Sequence, residues 1–206
     1  MASAKPRLTH LDRRGAARMV DVGGKPVTAR AARASGEIRM SAAAFRALRG
    51  RAAKKGDALA LARAAGIAAA KRTSEWIPLC HVVPLDQVAV EIAFAPRRRA
   101  LVVEATARAR WRTGVEMEAM VAVSAALLTL YDMGKGIDRA MRLGPIRLEE
   151  KSGGRSGLYR ARRRIRIGRG DAGRRRAGGA RDKAAAPSAP RTAGRDRRRS
   201  PPGSSG

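Results

Sequence analysis

The clearest period-two pattern in the chain is VAVEIAF, in which Val88, Val90, Ile92 and Phe94 alternate with smaller or polar residues as a half-buried strand requires. This predicts a strand over residues 87–95. Ala95-Pro96 and three arginines follow, a turn signal that leads into a second strand over 100–109 and makes the pair an antiparallel hairpin. Further strands are predicted over 19–22, 28–40 and 146–150. Elsewhere the period lengthens. Asp57, just after Gly56, is placed to cap a helix through ALALARAAGIAAAKRTS. A second helix is predicted over 116–133, where MEAMVAVSAALLTLYDM is almost wholly apolar and so must lie in a core or an interface. A short helix is expected near 41–48. Together these elements predict an α+β sandwich, with helices on one face of a mainly antiparallel sheet. A helix that is apolar on all sides needs cover on all sides, which predicts an oligomer.

Composition narrows the class. The 206 residues suit one domain, or one domain and a tail. One cysteine excludes an internal disulfide framework. With two histidines it leaves too few soft ligands for a structural zinc site or a cysteine-ligated cluster. No apolar run reaches the roughly 18 residues of a membrane span, and MASAKPRLTH lacks the apolar stretch of a secretion signal, so a soluble cytoplasmic protein is expected.

The net charge of +28 is unevenly spread. Residues 1–158 hold 29 basic and 14 acidic side chains, whereas residues 159–206 hold 16 and 3. That last segment is almost all Arg, Gly, Ala, Ser and Pro, and cannot bury enough apolar surface to offset its conformational entropy. The expected organisation is a domain over 1–158 and a disordered basic tail over 159–206.

Four clusters carry candidate chemistry. Lys54, Lys55, Gly56 and Asp57 stand at a helix head, where unpaired N–H groups and the dipole favour an anion; a solvated basic loop is the alternative. Lys71 to Glu75 and then Leu79-Cys80-His81 follow the same helix. Cys80 reads best as a small buried apolar side chain, and His81 as a proton carrier, a phosphate donor or a core histidine. Glu116 and Glu118 would share one face on an extended chain but diverge on a helix, where they would instead complement its dipole. Asp132 and Lys135 are helix neighbours, either a surface ion pair or an acid–base couple.

These clusters, in this order and spacing, closely resemble those of cyclic pyranopterin monophosphate synthases, the MoaC-type enzymes of molybdenum cofactor biosynthesis. The segments that carry the likeness are LTHLD, MVDV, KKGDALALARAAGIAAAKRTSEWIPLCH, TGVEMEAM, TLYDMGKGID and IRLEEKSGGRSG, which span nearly all of residues 8–157. The resemblance implies a ferredoxin-like fold assembled as a homohexamer, a trimer of dimers, with active sites at subunit interfaces. It implies conversion of (8S)-3′,8-cyclo-7,8-dihydroguanosine 5′-triphosphate, the product of a separate radical enzyme, to cyclic pyranopterin monophosphate and pyrophosphate. It assigns catalysis to Asp132, Lys135 and Lys55. Substrate binding falls to Leu79, Cys80, His81, Met117, Glu118 and Glu116, with Arg30, Lys71 and Lys151 in the same basic pocket. No tightly bound cofactor is implied, though a Mg²⁺ could accompany the triphosphate. The chain departs from the family at Val82-Val83, at Gly134 and Gly136, and in its Arg-rich tail. Such a tail makes a nucleic-acid-binding protein the competing reading, although it offers no aromatic platform after Tyr159.

Overall fold

A computed structural model describes residues 10–12, 14–50 and 57–162. Among these residues there are six strands: β1 (Thr28–Arg39), β2 (Gln87–Ala95), β3 (Ala100–Trp111), β4 (Arg142–Leu143), β5 (Arg147–Ser152) and β6 (Tyr159–Arg160). The four helices are α1 (Ala42–Arg49), α2 (Ala58–Ala70), α3 (Thr73–Trp76) and α4 (Glu116–Gly134).

One antiparallel sheet runs in the order β2-β3-β1-β5-β6, with β4 pairing β1 beside that path. Taking β1, β2, β3 and β5 as the framework, the spatial order second-third-first-fourth is that of the split βαβ, ferredoxin-like arrangement. The fold is therefore α+β, as expected. The hairpin also forms as its pattern predicts: Val88 pairs with Ala107 and Ala95 with Ala100, around a 3₁₀ turn at Pro96–Arg98. Along β1 and β3 the alternate residues Ala32, Ala34, Ile38, Leu101, Val103, Ala105 and Ala107 are buried in one core.

Asp57 caps α2 as expected, its carboxylate accepting from the amides of Leu59 and Ala60 at 3.0 Å. Alanines make α2 thin enough to lie directly on α4. A Cβ on Gly66 would come within 2.8 Å of the Ala122 carbonyl oxygen, so glycine at this crossing is required by close approach. On the other side α4 sets Val123, Leu127 and Leu130, all 0% exposed, into the core. Truncating Leu127 to alanine there would cost about 2–5 kcal/mol.

Three expectations need correction. Residues 19–22 form no strand; their alternation is real, but Val20 and Val22 line a pocket instead of joining a ladder. The helix capped by Asp57 stops at Ala70 instead of running on through Ser74, and α3 starts afresh at Thr73, whereas the choice left open at Glu116 and Glu118 resolves to the helix that begins at Glu116. And α4, at 19 residues, is long and apolar enough by composition to cross a membrane. More than half of it is buried against the sheet and α2, which is the situation of a core helix. The last strand, β6, takes Tyr159 and Arg160 from the first two positions of the segment assigned to the tail, pairing them with Lys151 and Glu150. Lys54, Lys55 and residues 163–206 lie outside the described residues.

Candidate active site

The N-terminal end of α4 has no side-chain cap. Two adjoining cavities meet there, of about 720 and 290 Å³, and both are lined by Lys25, Thr113, Gly114 and Glu116. Their chemistry differs sharply.

The larger chamber is basic. Lys25, Arg30, Arg112, Lys151 and Arg155 line it, and Glu116 is its one acidic wall among the described residues. Arg30 also braces the wall: its guanidinium donates to the carbonyls of Trp111 and Arg112, both at 3.2 Å, tying β1 to the strand end that leads into α4. The loop after β5 crosses over this arginine. A Cβ on Gly153 would run into the Ala29 carbonyl, and Gly153 itself sits at φ 91°. Only glycine meets both demands. Lys151 reaches across the loop to donate to Ser156 Oγ. Five cations beside the positive end of a helix make a chamber suited to a polyanion.

The smaller chamber has a mixed lining, to which His10, Lys25, Thr113 and Glu116 also contribute. Val20, Val22, Leu79, Val83 and Met117 supply its walls, with Cys80, His81 and Glu118 as polar points. His81 Nε2 donates to the Val20 carbonyl at 2.8 Å. A carbonyl oxygen can only accept, so Nε2 carries a proton and Nδ1 remains for a ligand. Glu118 is 4% exposed. Burial, helped by the negative charge of Glu116, raises its carboxyl to about 7, against an opposing pull from its own amide N–H. The Cys80 thiol is raised too, by burial and then by Glu118, so it is a neutral wall rather than a ready nucleophile.

Of the residues singled out from sequence, Leu79, Cys80, His81, Met117 and Glu118 come together in the smaller chamber. Arg30 and Lys151 come together in the larger, with Glu116 between the two. Lys71 does not join them; it is exposed at the end of α2. Neither do Asp132 and Lys135. They form an exposed ion pair of 2.5 Å at the far end of α4. Sixteen residues of helix separate Asp132 from Glu116, a distance of about 24 Å at 1.5 Å per residue. Lys135 is raised above the ordinary lysine range by the hydrogen bond and charge of Asp132.

Sequence reasoning missed Lys25, Arg112 and Arg155. Each lies within or next to a recognised segment, but a lone basic residue in a chain this basic carries no signal of its own. Among the described residues no group of three or more His, Cys, Asp or Glu side chains converges on a common point.

The fold and these chambers define a small α+β protein with a two-chambered cleft at the head of a helix, the larger chamber strongly basic. A sequence model of the MoaC family matches residues 19–154. The chain is 58% identical over 153 residues to cyclic pyranopterin monophosphate synthase 1 of Mycobacterium tuberculosis H37Rv, covering 74% of this chain and 89% of the relative. It is 51% identical over 159 residues to the cyclic pyranopterin monophosphate synthase of Parvibaculum lavamentivorans, covering 77% and 99%. The corresponding protein of Chloroflexus aurantiacus J-10-fl is 52% identical over 157 residues, covering 76% and 96%. The chain belongs to the MoaC family.

Proposed function

We infer that the chain catalyses the reaction for which these relatives are named. It is a lyase of molybdenum cofactor biosynthesis, forming cyclic pyranopterin monophosphate from 3′,8-cyclo-7,8-dihydroguanosine 5′-triphosphate with release of pyrophosphate. The carrying observation is the paired chamber: a basic cavity for a triphosphate joined to one of mixed lining, with apolar walls and hydrogen-bonding side chains, for a fused ring.

The chemistry follows from that pairing. A sugar hydroxyl attacks the α-phosphorus, its oxygen forms the new phosphodiester bond, and the bond to the β-phosphate oxygen breaks to expel pyrophosphate. Lys25, Arg30, Arg112 and Lys151 are the charges that would hold the phosphates in line and stabilise the leaving group. Opening and rebuilding the ring moves several protons, which calls for acid–base groups: His81 through Nδ1, and Asp132 with Lys135 and Lys55. Glu116 is the one anionic ligand that the described basic wall offers a hard cation, so a Mg²⁺, where present, would ride chiefly on the phosphate oxygens.

One chain does not assemble this set. The separation of Asp132 from the chambers, and its exposure, support a site built from two chains in which Asp132–Lys135 of one copy closes the chambers of another. Burial by that second copy would also lower the lysine toward a pKa useful for proton transfer. Leu61, Trp76 and Leu128 remain about half exposed on the helical side, which favours assembly into a homohexamer. A cytoplasmic location belongs to the same reading.

The test is pyrophosphate release from the cyclic dihydroguanosine triphosphate by wild type, Asp132→Asn and Lys55→Ala. Turnover in wild type with a loss of 100-fold or so in each variant is expected for removed acid–base groups. A folded, oligomeric wild type that releases no pyrophosphate would overturn the assignment.

A further inference from the structure

We propose that Asp138 is a positioning residue for the reaction: its carboxylate clasps the turn that carries Lys135 to the junction of β1 and α1, and so fixes where the Asp132–Lys135 pair is presented. The inference deepens the synthase reading above and rests on it, because the catalytic role of that pair belongs to that reading.

The turn has little else to hold it. Helix α4 ends at Gly134, and the chain then doubles back at once, the amides of Ile137 and Asp138 both donating to the Gly134 carbonyl at 2.9 and 3.1 Å. Lys135, Gly136 and Ile137 are all exposed, and a Cβ on Gly136 would meet nothing within 4 Å. Core packing fixes Leu127 and Leu130 earlier on the helix and resumes at the buried Met141. Between them the lysine turn is left to its hydrogen bonds.

Asp138 supplies the tie. One carboxylate oxygen accepts from the Ser41 amide at 2.7 Å, the other from the Ala140 amide at 2.9 Å. Ser41 is a firm anchor. Its hydroxyl caps α1 by accepting from the Ala44 amide, and its neighbour Met40 is buried, with an amide that donates to the Arg99 carbonyl at 3.0 Å. The contact with Ser41 bridges 97 positions of sequence, so it fastens the turn to the end of the sheet and not merely to its own helix. The amides of Ser41 and then of Ala140 hold the Asp138 carboxyl below the ordinary carboxylate range, which keeps both oxygens as acceptors.

Position matters because an acid or base works only within hydrogen-bond reach of its proton, and a displacement of about 1 Å can cost on the order of 100-fold in rate. Without the clasp Lys135 would still reach Asp132 one helical turn away, but the place of both relative to the sheet would be free.

The test measures kcat and KM for pyrophosphate release from the cyclic dihydroguanosine triphosphate, in full-length wild type, Asp138→Ala and Asp138→Asn, well below their melting temperatures. In Asp138→Ala kcat should fall on the order of 100-fold while KM stays within about twofold, since the chambers lie at the other end of α4. Asp138→Asn keeps one carbonyl acceptor and should fall in between; it carries the comparison if the alanine variant does not fold. A folded variant with wild-type kcat, a loss confined to KM, or a loss no greater than the loss of folded protein overturns the proposal. Amide hydrogen exchange gives a readout independent of turnover. The amides of Lys135 and Ile137 should exchange at least about tenfold faster in Asp138→Ala, with Val123 and Leu127 unchanged, and equal rates in the two proteins refute the clasp. A wild type that releases no pyrophosphate strikes down the synthase reading instead, and the exchange rates still decide whether Asp138 holds the turn.

Discussion

Ser35 Oγ donates to Glu149 Oε1 at 2.5 Å, and neither side chain is exposed at all. Alternation along β1 puts Ser35 on the sheet face away from α4, opposite to Ala34 and Ile38. Arg147 completes the cluster, its Nε donating to the same carboxylate oxygen at 2.9 Å. A polar knot thus holds β5 to β1, and β5 itself carries Lys151. Ser35→Ala leaves a buried carboxylate short of one donor and should cost about 1.5–3 kcal/mol. The expected signature is a lower urea midpoint with an unchanged slope. A midpoint that does not move would show that the hydroxyl contributes nothing net.

Mixing two inactive variants should restore activity if the site is shared. Asp132→Asn lacks one half and His81→Ala the other, so in randomly mixed oligomers about one site in four would draw both halves intact. Recovery to about a quarter of wild-type turnover after co-refolding is expected. Pure cis sites would give no recovery whatever the mixing ratio.

The raised carboxyl of Glu118 couples stability to pH. Its ordinary value is 4.5 and its folded value about 7, so between these limits the folded state binds the extra proton. Stability therefore falls as pH rises from about 4.5 to about 7, and this group adds no further slope on either side. Urea unfolding of wild type at pH 5 and pH 8 should show the decline, and Glu118→Gln should flatten it. Parallel curves for the two proteins would contradict the assignment.

Glycines 136 and 153 should respond in opposite ways. A Cβ on Gly136 meets nothing within 4 Å, so Gly136→Ala should fold at least as well as wild type, with a gain of about 0.4–1 kcal/mol if its backbone suits alanine. Gly153→Ala strikes the Ala29 carbonyl at a φ that alanine rarely adopts. It should displace the loop after β5, against which Lys151 is held through Ser156, and raise KM well before it unfolds the protein. Thermal melting alongside steady-state kinetics separates the two effects.

Regular patterns made the framework legible. The alternation in β2, the cap at Asp57 and the apolar run of α4 each report local physics; β2 and α4 formed within a residue of their expected bounds, and α2 began where its cap placed it but ended four residues early, at Ala70. The segment 19–22 shows the limit, since a pocket wall can use the same two-residue period as a ladder. Glu116 and Glu118 stayed ambiguous because spacing alone does not say where a strand ends and a helix begins. The distance between His81 and Asp132 was beyond reach altogether. Resemblance placed both in one site, while only three-dimensional structure reveals that a single chain holds them at opposite ends of one helix.

That helix sets a constraint on how such proteins can change. Because α4 bears Glu116 at one end and Asp132 at the other, its length is a ruler between the chambers and the Asp132–Lys135 pair. Side chains along it can drift among small apolar types, but inserting one residue would advance the Asp132 end by 1.5 Å and swing it by about 100°. Surface loops can lengthen freely over evolutionary time. This helix is bound to a fixed count.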